Sequence, residues 1–149
     1  MFPRALNIGC DERGISYIRS IGVAAFIVTL AGCSPSVRPR FEGFTFSPDG
    51  KCIFSPYDRS GSSFIYKIAL DTGKATRFTT ATSGFEGVPS FSPDGKRIAY
   101  SYSPGKERSR IIVADADGSG ARPLLTSEDA NYFRPLFATD TVIVFARSG

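Results

Sequence analysis

The sequence contains no histidine and no tryptophan, and it has three cysteines and one methionine among 149 residues. Without histidine, the chain can form neither a Ser-His-Asp nor a Cys-His catalytic set, and it has no imidazole to bind a metal. The cysteines stand at positions 10, 33 and 52, so the C-x-x-C spacing of zinc and redox motifs is missing. We therefore expect no catalytic residues, no metal and no cofactor.

Strong charge and long apolar runs are also missing. The net charge is +4 and the charged residues are scattered, which argues against a nucleic-acid partner. The apolar run at residues 21–30, "IGVAAFIVTL", is half the length of about 20 residues that a membrane-spanning helix needs. Because Arg13 and Arg19 precede the run and small residues follow it, the pattern predicts a signal-peptide helix within residues 1–32. The alternative is a buried core helix.

The run ends in Leu30-Ala31-Gly32-Cys33, which resembles the lipobox of bacterial lipoproteins. The resemblance implies that Cys33 becomes the lipidated first residue of the mature chain, with residues 33–40 as a linker after the lipid anchor. It also implies a location in the bacterial cell envelope, at the outer membrane facing the periplasm in a Gram-negative cell.

The string "FSPDGK" occurs at residues 46–51 and again at 91–96, which is a period of 45 residues. A shorter third copy, "PLFATDTVIVFA", follows at 135–146. Each full unit contains four short segments that alternate or are rich in β-branched and aromatic residues, separated by turn residues. Four strands per unit of this length are typical of β-propeller blades. The sequence thus predicts an all-β fold, an incomplete propeller of about two and a half antiparallel blades at about 41–87, 88–133 and 134–147.

The repeated string itself is predicted to be a hairpin turn between the first two strands of a blade. Proline fixes φ at the second position, aspartate bonds back to its own backbone, and glycine takes a left-handed conformation. The structural-turn residues are Ser47, Pro48, Asp49, Gly50, Ser92, Pro93, Asp94 and Gly95. Asp115 and Asp117 have the spacing of a calcium loop, but no ligating glutamate follows at the required distance, so the sequence predicts a turn there.

The segments "FSPDGKRIAY" and "RIIVADADGSGARPLL" resemble the WD-like repeat of TolB-type propellers. That resemblance covers residues 41–147 and implies a non-catalytic module that binds protein or peptide partners. Propellers of this type also stand in front of prolyl-oligopeptidase-type hydrolases. The alternative function is therefore the propeller portion of a larger, truncated hydrolase or glycan-active enzyme.

Two and a half blades are fewer than the four to eight with which propellers close. Either the chain completes a ring by self-association, or the reading frame is a fragment of a longer propeller gene. Loops between strands carry most binding residues on such scaffolds. We expect partner-binding residues in the loops 56–63, 80–87, 103–109 and 126–134, and the aromatic and arginine candidates are Tyr57, Arg59, Phe85, Tyr132, Phe133 and Arg134.

Overall fold

The computed structural model describes Gly9–Cys10, Ser16–Tyr17 and residues 43–59, 61–105, 107–125 and 129–149. The chain divides into two compact units, Met1–Arg38 and Pro39–Gly149. In the first unit, β1 (Gly9–Cys10) and β2 (Ser16–Tyr17) form an antiparallel pair. The predicted signal-peptide run, the linker 33–40 and the Cys33 lipidation site lie outside the described residues. Among the described residues, no helix has the length and apolar character that crossing a membrane requires.

The second unit consists of strands grouped by repeat. The first blade contains β3 (Thr45–Phe46), β4 (Cys52–Arg59), β5 (Ser62–Ala69) and β6 (Ala75–Arg77). After the short β7 (Phe85–Glu86), the second blade contains β8 (Ser90–Phe91), β9 (Arg97–Ser103), β10 (Arg110–Asp115) and β11 (Arg122–Leu125). The third repeat supplies β12 (Asn131–Phe137) and β13 (Ile143–Ser148). Neighbouring strands within each blade are antiparallel, which confirms the predicted all-β, incomplete propeller.

The two Ser-Pro-Asp-Gly segments form the same turn. In the first, the Gly50 N–H donates to the Ser47 carbonyl oxygen at 2.9 Å, and the Lys51 N–H donates to Asp49 Oδ1 at 3.1 Å. The Ser47 hydroxyl donates to Asp49 Oδ1 at 2.5 Å and accepts the Cys52 N–H at 2.9 Å. Gly50 has a φ of 68°, in the left-handed region.

The second turn, 92–97, repeats each of these bonds within about 0.1 Å. The hydrogen bond from the serine hydroxyl is the main cause that lowers the pKa of Asp49 and of Asp94. Serine and aspartate thus satisfy the backbone groups that the turn leaves unpaired.

Two predicted loops contain more strand than the sequence indicated. Residues 56–63 were expected to be a loop, but β4 continues to Arg59 and β5 begins at Ser62. Tyr57 pairs with Phe64 and Arg59 with Ser62 in this ladder, so Tyr57 and Arg59 lie on a strand. Likewise β12 begins at Asn131, which places Tyr132, Phe133 and Arg134 on a strand rather than in the predicted loop 126–134.

A phenylalanine of each later repeat packs against the blade before it. The Phe91 ring lies 5.0 Å from the Phe54 ring of the first blade, in an edge-to-face arrangement. Phe137 is 7% exposed and packs with Ala99 and Val113 of the second blade. The equivalent Phe46 is 56% exposed. The core of this unit therefore lies between blades rather than inside any one of them.

The turns of successive blades also contact one another. Asp140 of the third repeat accepts the Asp94 N–H through its Oδ1 at 2.8 Å. Arg97 donates a hydrogen bond from Nη2 to the Asp140 carbonyl oxygen. These bonds join the second turn to its degenerate third copy, which lacks the Ser-Pro-Asp-Gly sequence but keeps the aspartate.

Candidate binding groove

The first strands of the three repeats line one groove. Equivalent positions meet there: Thr45, Ser90 and Leu136 each directly precede the phenylalanine of their repeat. The groove has a volume of about 1120 Å³. Its lining residues come from all three repeats and are Phe44, Thr45, Gly87, Val88, Pro89, Ser90, Ser101, Phe133, Arg134, Pro135, Leu136 and Ala146. Because no single repeat forms this surface, the stacking of blades positions it.

The groove walls are mainly apolar and partly exposed. Phe44 is 55% exposed and Leu136 is 59% exposed, and Phe133 is also exposed. Large apolar side chains that stay in contact with water at one place on a surface are typical of sites that bind another molecule. Arg134 adds a single cation to this lining.

A smaller cavity of about 350 Å³ adjoins the groove, because Gly87, Ser101 and Phe133 line both. Its own lining includes Asp58 near the end of β4 and Phe85 of β7. Three serines, Ser63, Ser103 and Ser109, give it further hydroxyl groups. The groove and the smaller cavity together form a surface with apolar walls. Arg134 lies in the groove, and the carboxylates of Asp58 and Glu86 lie at the smaller cavity.

Glu86 of β7 is a buried carboxylate, 3% exposed. Its Oε2 accepts the Ile65 N–H at 2.8 Å and the Thr79 hydroxyl at 2.5 Å. Burial raises the pKa of Glu86, although the hydrogen bonds from Thr79 and Ile65 and the charge of Arg77 act in the opposite direction.

Burial, with the charges of Glu86 and Tyr102, also raises the pKa of the neighbouring Tyr100 to about 12. A buried carboxylate with a raised pKa is a common sign of a functional site. Here the Glu86 hydrogen bonds give it a structural explanation, since they satisfy a backbone N–H of β5 beyond the end of β6.

The structure brings together three of the six predicted binding residues. Phe85 and Phe133 line the smaller cavity, and Phe133 and Arg134 line the groove. Tyr132 instead stacks edge-to-face on Phe145 at 5.5 Å, and Tyr57 stacks on Tyr66 at 6.0 Å. Neither tyrosine lines the two cavities, and the side chain of Arg59 lies outside the described atoms.

The groove also contains residues that the sequence analysis did not select, notably Phe44, Val88 and Leu136. The repeat alignment could have identified them, because all three lie just before the repeated phenylalanine. They lie on or beside the first strands and not in the loops, where the binding residues were predicted.

The Asp115–Asp117 segment forms a turn. The Ser119 N–H donates to Asp117 Oδ1 at 2.8 Å, and the Gly118 N–H donates to the Asp115 carbonyl oxygen at 2.8 Å. The hydrogen bond from the Ser119 side chain is the first cause that lowers the pKa of Asp117. In the described part of the chain, no cluster of three or more His, Cys, Asp or Glu residues could hold a metal ion.

The chain is similar to TolB proteins both in sequence and in fold. The chain is 43% identical over 61 residues to the Tol-Pal system protein TolB of Francisella tularensis subsp. mediasiatica (strain FSC147), which is 41% of this chain and 14% of that protein. Its fold is similar to the structure of a putative TolB from Agrobacterium tumefaciens, with a TM-score of 0.63, 24% identity, and coverage of 95% of this chain and 49% of that one. No family model matches.

A chain from a structural and mechanistic analysis of two prolyl endopeptidases also has a similar fold. The TM-score is 0.57 at 16% identity, and the match covers 85% of this chain and 21% of the peptidase chain. The chain thus spans at most about half the length of these relatives. The sequence match and the shared fold together confirm the predicted TolB-type β-propeller repeats in this chain.

Proposed function

Because the chain carries TolB-type β-propeller repeats, we propose that it is a non-catalytic binding module of the bacterial cell envelope. Its ligand is a protein or peptide segment, and the binding site is the groove between the first strands. The main support for this proposal is that Phe44, Phe133 and Leu136 are exposed in that groove. Aromatic side chains beside an arginine supply the kind of contact that dominates protein–protein binding energy.

The architecture supports binding rather than turnover. The groove residues lie on or next to strands that the blade packing holds in place, so a partner would meet a preformed surface. The chain has no histidine, and Glu86 is already hydrogen bonded inside the fold. A partner would therefore be recognised by shape, apolar contact and charge.

A photocrosslinking experiment tests the groove as the binding site. Benzoylphenylalanine would replace Leu136 in the groove or, as a matched control, the exposed Leu124 of β11. Irradiation with envelope extract should give a discrete adduct for the groove position and none for the control. The same adduct at both positions, or no adduct at either, would contradict the proposal.

We further propose that the chain is attached to the membrane through a lipid on Cys33. The support is the Leu30-Ala31-Gly32-Cys33 sequence after an apolar run. Radiolabelled palmitate should label the wild type and a Cys52→Ala variant, and a Cys33→Ala variant should lose both the label and membrane attachment. A Cys33→Ala protein that stays membrane-bound would overturn this part of the proposal.

Self-association of the propeller is also part of the proposal. The apolar side chains of Val142 and Val144 on the β12–β13 hairpin are exposed, and a second copy could cover them. Sedimentation velocity should then show an assembly that the variant Val144→Glu dissociates. A wild-type protein that remains monomeric at all micromolar concentrations would exclude this.

The second candidate function is the propeller part of a larger hydrolase. The fold likeness to prolyl endopeptidases favours it. Peptide and ester substrates incubated with the purified chain distinguish the two candidates. We expect no turnover, and turnover that copurifies with the chain would contradict the non-catalytic function.

A further inference from the structure

Arg134 has an unusual backbone conformation for its residue type. Its φ is 50°, and among the described residues it is the one non-glycine residue with a positive φ. It lies in β12 at the point where the pairing with β13 shifts register, between Phe133 and Leu136. A left-handed conformation disfavours any side chain relative to glycine, and such residues are concentrated at ligand sites.

The other two repeats have no charge at the same place. Counting back from the repeated phenylalanine, the position of Arg134 is occupied by Val88 in the second repeat and Gly43 in the first. A glycine would suit the conformation of this position in the third repeat, yet an arginine stands there. The third repeat alone therefore brings a cation to the groove.

Arg134 is the one charged residue of the groove lining, and Phe133 and Leu136 are its exposed apolar neighbours. With the described residues, its guanidinium makes neither a hydrogen bond nor an ion pair. A cation beside apolar walls attracts a carboxylate more strongly than a cation in open water does. A guanidinium can also bind a carboxylate through two parallel hydrogen bonds.

The adjoining smaller cavity carries the opposite charge. Asp58 lines it, and Glu86 lies in its wall. An acidic ligand group would be repelled there and attracted at Arg134. The two cavities share Phe133, so a ligand that extends over that ring would have a preferred direction.

We propose that Arg134 makes the groove selective for a peptide segment that carries an aspartate or glutamate flanked by apolar side chains. The carboxylate binds the guanidinium, and the apolar side chains contact Phe44, Phe133 and Leu136. This inference rests on the proposed function, in that the groove is the binding site. It adds the chemical class of the ligand, an acidic peptide, and the residue that recognises it, Arg134.

The test uses dodecapeptides selected by phage display on the immobilised full chain. A selected peptide is then synthesised in two forms that differ by one Glu→Gln substitution. Fluorescence anisotropy should show that wild type binds the glutamate form about tenfold more tightly, the effect of one hydrogen-bonded charge pair. In Arg134→Gln, the ratio of the affinities for the two peptide forms should fall to about one. In the wild type, this ratio should decrease as salt is added.

Two variants serve as controls. Arg122→Gln on β11 removes an equal charge from an exposed position outside the groove lining, so it should keep the tenfold preference. Arg134→Gly fits the left-handed backbone, so it separates loss of the guanidinium from loss of the fold. It should bind both peptide forms equally.

The outcomes separate this inference from the proposed function. Acidic selectivity that survives in Arg134→Gln, or that disappears equally in Arg122→Gln, overturns the inference while peptide binding stands. Selection of peptides without acidic residues also overturns it. Failure to enrich any peptide whose binding depends on Leu136 would overturn the proposed function itself.

Discussion

Replacing Phe137 by alanine would remove the side chain that joins the third repeat to the second blade. Phe137 is 7% exposed and packs against Ala99 and Val113. A buried phenylalanine removes roughly 150–250 Å² from water, which at about 25 cal/mol per Å² corresponds to about 4–6 kcal/mol of transfer free energy. Alanine keeps part of that contact, so we expect the free energy of unfolding to fall by about 3–5 kcal/mol.

The chain provides a matched control at the equivalent position. Phe46 occupies the same place in the first repeat, but it is 56% exposed and its ring lies 5.6 Å from Phe44 in an edge-to-face contact. Alanine at position 46 should leave no closed cavity and cost about 1 kcal/mol. The two phenylalanines occupy the same position of their repeats, so the difference measures the packing of one blade on the next.

The measurement is urea denaturation of the full chain, followed by circular dichroism or tyrosine fluorescence because the sequence has no tryptophan. If Phe137→Ala does not fold, the milder Phe137→Leu variant should still show a larger loss than the same substitution of Phe46. Equal losses at positions 46 and 137 would refute the conclusion that the core lies between blades.

Three further experiments examine the groove and the turns. Burial raises the pKa of Glu86 above 4.5, so the native state binds this proton more tightly than the unfolded state does, and its contribution to stability decreases as pH rises through the raised pKa. As pH rises from 4 to 8, the free energy of unfolding of Glu86→Gln, measured by urea titration, should therefore increase relative to that of the wild type. Parallel pH profiles of the two proteins would contradict this. Gly95→Ala should destabilise more than Gly50→Ala by thermal unfolding, because both have left-handed φ values near 70° but a Cβ at 95 would lie 2.8 Å from a proline of the preceding turn; equal shifts would exclude that contact. Arg134→Gly should leave the free energy of unfolding unchanged or raise it by up to about 1 kcal/mol, whereas Arg122→Gly in β11 should lower it by about 0.5–1 kcal/mol, and a large loss in Arg134→Gly would contradict the strained conformation.

The repeat and its turns could be predicted from the sequence because their signals are local. The Ser-Pro-Asp-Gly segments specify their own hydrogen bonds. The strand extension through Tyr57 to Arg59 was not predicted, because polar and glycine residues near position 60 indicate a loop. There the pairing of β4 with β5 outweighs local preference.

The candidate site could be predicted only in part, because it is assembled from three repeats. Phe133 and Arg134 were selected for their residue types, and the groove contains both. Phe44 and Leu136 become neighbours of one surface only when the blades stack. The burial of Glu86 has no local signal, since a glutamate in the short segment between Gly84 and Gly87 is typical of an exposed loop.

The short strand β7 has a consequence for how this chain can be taken apart. It pairs in parallel with β5 of the first blade and antiparallel with β9 of the second, so hydrogen bonds continue across the boundary between repeats. The 45-residue sequence period suggests that a module ends at that boundary, but the hydrogen bonds between strands continue across it. We therefore expect the two blades to fold as one cooperative unit, so that a single 45-residue repeat would be a poor module for recombination or design.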